Sequence, residues 1–99
     1  MVDEPIPAWR AARDRKVAVM LDPHAPAWLL NEQVDAEAGR VQFDIVHRWP
    51  LTGEWERRHF TYEIDVDVLH FRGASPVSPA ELARLKDEAR FRAHEHEPL

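Results

Sequence analysis

The sequence predicts an α+β domain: a meander of four antiparallel strands covered on one face by a C-terminal helix, with a short N-terminal arm or helix in front. Three observations predict it. From Phe60 onward, Phe60, Tyr62, Ile64, Val66 and Val68 alternate with Thr61, Glu63, Asp65 and Asp67, the period of two of a half-buried strand. Ser78-Pro79-Ala80-Glu81 then supplies an N-cap hydroxyl, a proline at N1 and a glutamate at N3, the start signal of a helix. Upstream, turn chemistry around Gly39 and Gly53 separates the apolar runs.

Residues 1–7, with Pro5 and Pro7, read as an arm, and Pro7 suits the opening of a short helix through Arg13 that carries Trp9. Such a helix is marginal by itself. Residues 16–21 form an apolar run ended by Asp22-Pro23 and read as a first strand with Val17, Val19 and Leu21 on one face. Residues 27–34 fit a helix through Ala27, Leu30, Val34 and Ala38, and also a strand through Trp28, Leu30 and Val34. The strand is favoured by Asp35-Ala36-Glu37-Ala38-Gly39-Arg40, a four-residue hairpin loop with Gly39 left-handed, which sets Val34 against Val41 and Leu30 against Ile45.

The next strand spans about 41–49. A two-residue Thr52-Gly53 turn then pairs Ile45 with Phe60 and Phe43 with Tyr62, and a longer loop in the same register is the alternative, because Thr is a poor first residue of a primed turn. The last strand spans about 56–70, and the helix about 79–95, where Leu82, Leu85 and Ala89 form the stripe that covers the apolar sheet face. The 99 residues read as a single domain with an arm at 1–7 and a tail at 97–99, long enough to bury about two-thirds of its unfolded surface.

Four Trp, four Phe and one Tyr supply bulky core material within 44% apolar residues. A formal charge of −5 and a pI near 5.6 make nucleic acid an improbable partner. With no cysteine there is no disulfide, thiol chemistry or thiolate zinc site. No apolar run approaches a membrane span, and the acidic Asp3-Glu4 start is unlike a secretory leader, so the chain reads as cytoplasmic with no membrane partner. Arginine outnumbers lysine eleven to two, as in GC-rich bacterial or phage genomes.

In the predicted register one sheet face carries Gln42, Asp44 and Arg48 beside Arg57, His59, Thr61, Glu63, Asp65 and Asp67. Carboxylates at i and i+2 on a strand stand about 7 Å apart, suited to a partner's cations and too far apart to share a proton. His59 lies within reach of a carboxylate, but no nucleophile accompanies it in that register. His47 falls on the core side opposite Trp28 and reads as a hydrogen-bonded rim histidine; His24 sits in the stiff 22–26 loop. His94 and His96 would diverge on a helix and converge on a metal only in an extended tail. Arg84, Lys86, Arg90 and Arg92, with Arg13, Arg15 and Lys16, are the only basic clusters, diluted by Glu81, Asp87, Glu88 and Glu95. Phosphate-loop, hydrolase-elbow and zinc-helix motifs are absent.

The last strand outruns its partner and carries Phe71 on a projecting edge, which invites strand pairing. The expected function is a small protein-interaction module, such as a regulator, inhibitor, antitoxin-like factor or accessory subunit. It would bind a protein partner or itself, as a homodimer, through Asp44, Arg57, His59, Glu63, Asp65, Asp67 and Phe71, with no catalytic residue, metal or cofactor. The alternatives are a small metal-dependent enzyme or accessory factor using histidines and carboxylates of the sheet face, and a nucleic-acid binder using the basic helix.

Overall fold

The structure, a computed structural model, describes residues 7–91, and the His94 and His96 pair lies outside them. The elements run α1 (Ala8–Ala18), β1 (Ala27–Asp35), β2 (Arg40–Arg48), β3 (Trp55–Glu63), β4 (Val68–Pro76) and α2 (Pro79–Leu85). The four strands form one antiparallel sheet in the order β1-β2-β3-β4, the meander expected from the sequence.

Its membership differs from the prediction at both ends. Residues 16–21 are not a strand: α1 continues to Ala18, and Val17 is buried whereas Val19 is 85% exposed. Trp9, Arg13 and Val17 recur at i, i+4 and i+8, so the helix does have a sheet-facing stripe, with an arginine at its centre. The predicted 56–70 strand is two strands, because residues 64–67 turn and Asp67 adopts a left-handed φ of 55°.

Each hairpin loop has four residues, closed by Asp35 and Arg40, by Trp49 and Glu54, and by Glu63 and Val68. The fourth loop residue is left-handed each time: Gly39 (φ 67°), Gly53 (φ 69°) and Asp67 (φ 55°), spaced by fourteen. At Gly39 glycine is also needed for space, since a Cβ there would stand 2.9 Å from the Asp65 carboxylate, while the Ile64 N–H donates to the Gly39 carbonyl at 2.8 Å. The β2–β3 loop being four residues long, the register moves two positions from the predicted one, to Phe43 opposite Phe60 and Val41 opposite Tyr62. A two-residue shift keeps every side chain on its face.

The first hairpin closes as expected, with Val34 opposite Val41, but a bulge at Asn31 (φ 56°) shifts the rest of β1 by one residue. Trp28 and Leu30 are thereby moved to the sheet face opposite the one carrying Val41, Phe43 and Ile45, and His47 faces Ala27 instead of Trp28. Both faces are therefore partly apolar and each takes a helix. Val17 of α1 joins Ala27, Val41, Phe43, Ile45, Trp49, Phe60 and Tyr62 in the larger core. Leu82 and Leu85 of α2 pack on Trp28, Val46 and Trp55, so the C-terminal helix covers the face expected to be open, not the one carrying Phe43 and Phe60. Ser78 caps α2 by accepting from the Glu81 N–H at 3.1 Å. The helix ends at Leu85, well short of 95, and Ala89 lies beyond it; the chain turns back so that Phe91 N–H donates to the Ala27 carbonyl at 2.8 Å.

The Tyr62 hydroxyl donates to Asp67 at 2.5 Å and tethers the last loop. Burial first, and then this hydrogen bond, push the Tyr62 pKa up to about 12. Because the folded value is raised, the linked stability is complete below the ordinary value near 10 and is lost as pH rises toward 12. Tyr62 is the chain's only tyrosine, so phenolate absorbance reports it alone. The titration midpoint is expected about two units above that of the urea-unfolded chain, and coincident midpoints would refute the tether.

Candidate functional site

On the face that α2 half covers, a polar row crosses all four strands. Asp44 of β2 stands directly opposite His59 of β3, and its Oδ1 accepts from His59 Nδ1–H at 2.7 Å. A carboxylate only accepts, so Nδ1 carries the proton, and when the ring is neutral Nε2 presents a lone pair. Ser75 Oγ of β4 lies 3.3 Å from that Nε2. Asp44 Oδ2 also accepts from the Asn31 side-chain amide at 2.9 Å and from Arg57 Nη1 at 3.5 Å. Arg57 Nη2 in turn pairs with Glu81, which ties α2 to the row instead of closing the capping box back on Ser78.

The two edge strands shape this place by bulges. In β1 the bulge presents Asn31; in β4 an extra residue, Arg72, stands between Phe71 and Gly73, opposite His59 and Phe60. Bulges re-aim side chains and recur beside functional sites. Here they frame a cleft of about 420 Å³ lined by Asn31, Gln33, Gln42, Asp44, His59 and Arg72 among others. A second cleft of about 330 Å³ lies against α2 and includes Asn31, Arg57, Glu81 and Arg84.

Of the residues singled out in the sequence, Asp44, Arg57 and His59 are brought together and Glu63, Asp65 and Asp67 are not. Only Glu63 lies in a strand, where it meets His70 at 3.0 Å; Asp65 and Asp67 belong to the last loop. Asp67 is held below the usual carboxylate range, mainly by the Tyr62 hydroxyl and further by Lys16 at 3.5 Å. The acidic row along one strand therefore does not exist. Phe71 is 59% exposed on the other sheet face, beside Phe60 with ring centroids 5.8 Å apart. His24 is exposed in its loop, where its N–H donates to the Asp22 side chain at 2.9 Å. His47 is hydrogen bonded on both ring nitrogens, as expected, but it is fully buried instead of at the rim and sits one residue out of the predicted register.

Ser75 was missed because the single long strand predicted through residue 70 left β4 without a partner in the sheet; only the 64–67 turn brings Ser75 back beside His59. The basic clusters do not merge: Arg13 is buried and paired with Asp14 and Glu32, and α2 stops before Lys86. Among the described residues, no group of three or more His, Asp or Glu is placed to hold a metal, and no helix is long and apolar enough to cross a membrane. Comparison with protein-family models, with curated proteins and with solved structures gave no match.

Proposed function

We propose that this chain is a cytoplasmic protein-interaction module that takes an extended segment of a protein partner, or of a second copy of itself, along the edge of β4. The observation that carries this reading is the asymmetry of the two sheet edges. Both edge strands carry a bulge, at Asn31 and at Arg72, but β1 is also engaged at Ala27 by Phe91. β4 is nine residues long, and among the described residues no backbone hydrogen bond outside its ladder with β3 reaches it. An open edge offers a row of donors and acceptors to an added strand, and apolar side chains beside it supply affinity. Phe71 and the partly exposed Val68 and Leu69 are those side chains here. Arg58, whose guanidinium lies 4.2 Å from the Trp49 ring centroid and 5.7 Å from that of Phe71, rims the patch with positive charge suited to an acidic segment.

Native mass spectrometry of the protein purified from its own host tests this. A homodimer or a stoichiometric heterocomplex is expected for the wild type. Phe71→Glu is expected to return it to a free monomer with a melting temperature within a few degrees of wild type, since Phe71 is largely exposed. A wild-type protein that is monomeric and alone overturns the reading.

A further inference from the structure

Beyond partner docking, we infer that Ser75, His59 and Asp44 form a nucleophile relay for acyl transfer from small anionic esters or thioesters. Three facts place it. The hydrogen bonds run from Ser75 Oγ to His59 Nε2 (3.3 Å) and from His59 Nδ1 to Asp44 (2.7 Å), the order nucleophile, base, orienting carboxylate. Asp44 is the least exposed of the ionised groups in the row and is fixed by two further donors, Asn31 and Arg57, so it holds the ring in the tautomer that leaves Nε2 free to take a proton. Arg57 is also the cross-strand neighbour of Ser75, its guanidinium held by Asp44 and Glu81, so the cation nearest in register to the nucleophile is fixed in place. The relay's side chains lie on the sheet face opposite Phe71, although Ser75 belongs to the docking strand β4 itself.

The charge of the substrate follows from the clefts. Arg72 and Arg84 line one each, and neither is in an ion pair among the described residues. The cleft that holds Arg72 is also lined by Asn31, Gln33, Gln42, His59 and the Asp44 carboxylate; Asn31 and Arg57 already donate to Asp44, so Arg72 and the glutamine amides are the donors left for a carboxylate-bearing acyl group, and Ser75, outside the lining, adjoins it through His59. In the step itself, Ser75 Oγ bonds to the acyl carbon as its proton passes to His59 Nε2, and the alcohol or thiol leaves carrying that proton. A water molecule then gives its proton to His59, attacks the acyl-serine and releases the carboxylate with Ser75 restored. Asp44 is a positioning residue and touches neither substrate nor leaving group.

The test uses the full chain with a fluorophosphonate probe and with mono-4-nitrophenyl succinate, read by intact mass and by 4-nitrophenolate release. One probe adduct per chain, at Ser75, is expected. It should vanish in Ser75→Ala and form at least about a hundredfold more slowly in His59→Gln. Arg72→Ala is expected to slow acylation by the succinate ester about fivefold more than it slows acylation by 4-nitrophenyl acetate, and equal effects on the two esters would remove Arg72 from carboxylate recognition. For Asp44, imidazole ¹⁵N shifts should show His59 protonated at Nδ1 in the wild type and a mixture of tautomers in Asp44→Asn. No adduct on a folded wild type, an adduct that survives in Ser75→Ala, or equal labelling rates in wild type and His59→Gln overturns the relay. Circular dichroism and the four-tryptophan fluorescence establish folding of each variant.

Discussion

Asp14→Ala is expected to destabilise the fold by about 3–5 kcal/mol, because it strands most of the countercharge of a guanidinium that water cannot reach. Arg13 is 1% exposed and Asp14 2%, and Arg13 Nε donates to Asp14 at 2.6 Å. Glu32 of β1 provides a second acceptor at 2.9 Å, and the guanidinium lies 4.7 Å from the Phe43 ring centroid. The charge is thus clamped between helix and sheet in the middle of the α1 stripe. Arg13→Met is expected to be comparably harmful, since it removes the guanidinium 2.6 Å from the buried Asp14 carboxylate. The double variant Arg13→Met with Asp14→Leu should recover more than half of either loss: neither charge of this pair is then left buried without the other, and Glu32 keeps Arg10 at 2.9 Å. Urea unfolding followed by tryptophan fluorescence measures all three. Single variants within about 1 kcal/mol of wild type would show that water reaches the pair.

His47→Ala is expected to lower stability by about 3–5 kcal/mol through a cavity and two orphaned backbone groups. The ring is fully buried; Nε2 accepts from the Asp22 N–H at 2.9 Å and Nδ1–H donates to the Pro26 carbonyl at 2.9 Å. Only neutral imidazole satisfies both, and it staples the loop after α1 to the start of β1. Protonation would set an N–H against an N–H. Burial lowers the His47 pKa from its ordinary value of 6.5, the Pro26 hydrogen bond opposing. With the folded value depressed, the unfolded chain takes up the proton first, so this contribution is complete above about pH 6.5 and is lost as pH falls below it. The melting temperature of the wild type should therefore fall from pH 7 to pH 5 more steeply than that of His47→Gln, whose amide does not titrate in that range. Parallel curves for the two proteins would show that His47 is not the group responsible.

What the sequence reveals follows from where backbone conformation is written in residue type. Gly39 and Ser78-Pro79 announce their turn and cap, and both are found in place. Asn31 and Asp67 adopt the same left-handed conformation without announcing it, since asparagine and aspartate enter that region only as a minority habit. Asn31 moves Trp28 to the other face, and Asp67 cuts one strand into two. Those two residues account for the unread second core and for the unread Ser75. The missed half of α1 has another cause: Arg13 occupies a core position, so apolar periodicity is broken at the place where the helix is most deeply anchored. The Asp44 and His59 pairing was within reach of the sequence, needing only a loop two residues longer between β2 and β3.

The regular spacing of the hairpin loops also shapes the path by which the chain finds this structure. Every strand pairs only with its neighbour in sequence, across a four-residue loop, so no strand pairing requires a distant loop to close first. Any of the three hairpins can nucleate the sheet, and the others can zip onto it from either side. Helix α1 is the exception, because its buried arginine must meet Glu32 across the intervening 22–26 turn. The arginine's seat is built by Glu32 of β1 and Phe43 of β2 together, so α1 is anchored in full only once the first hairpin has formed.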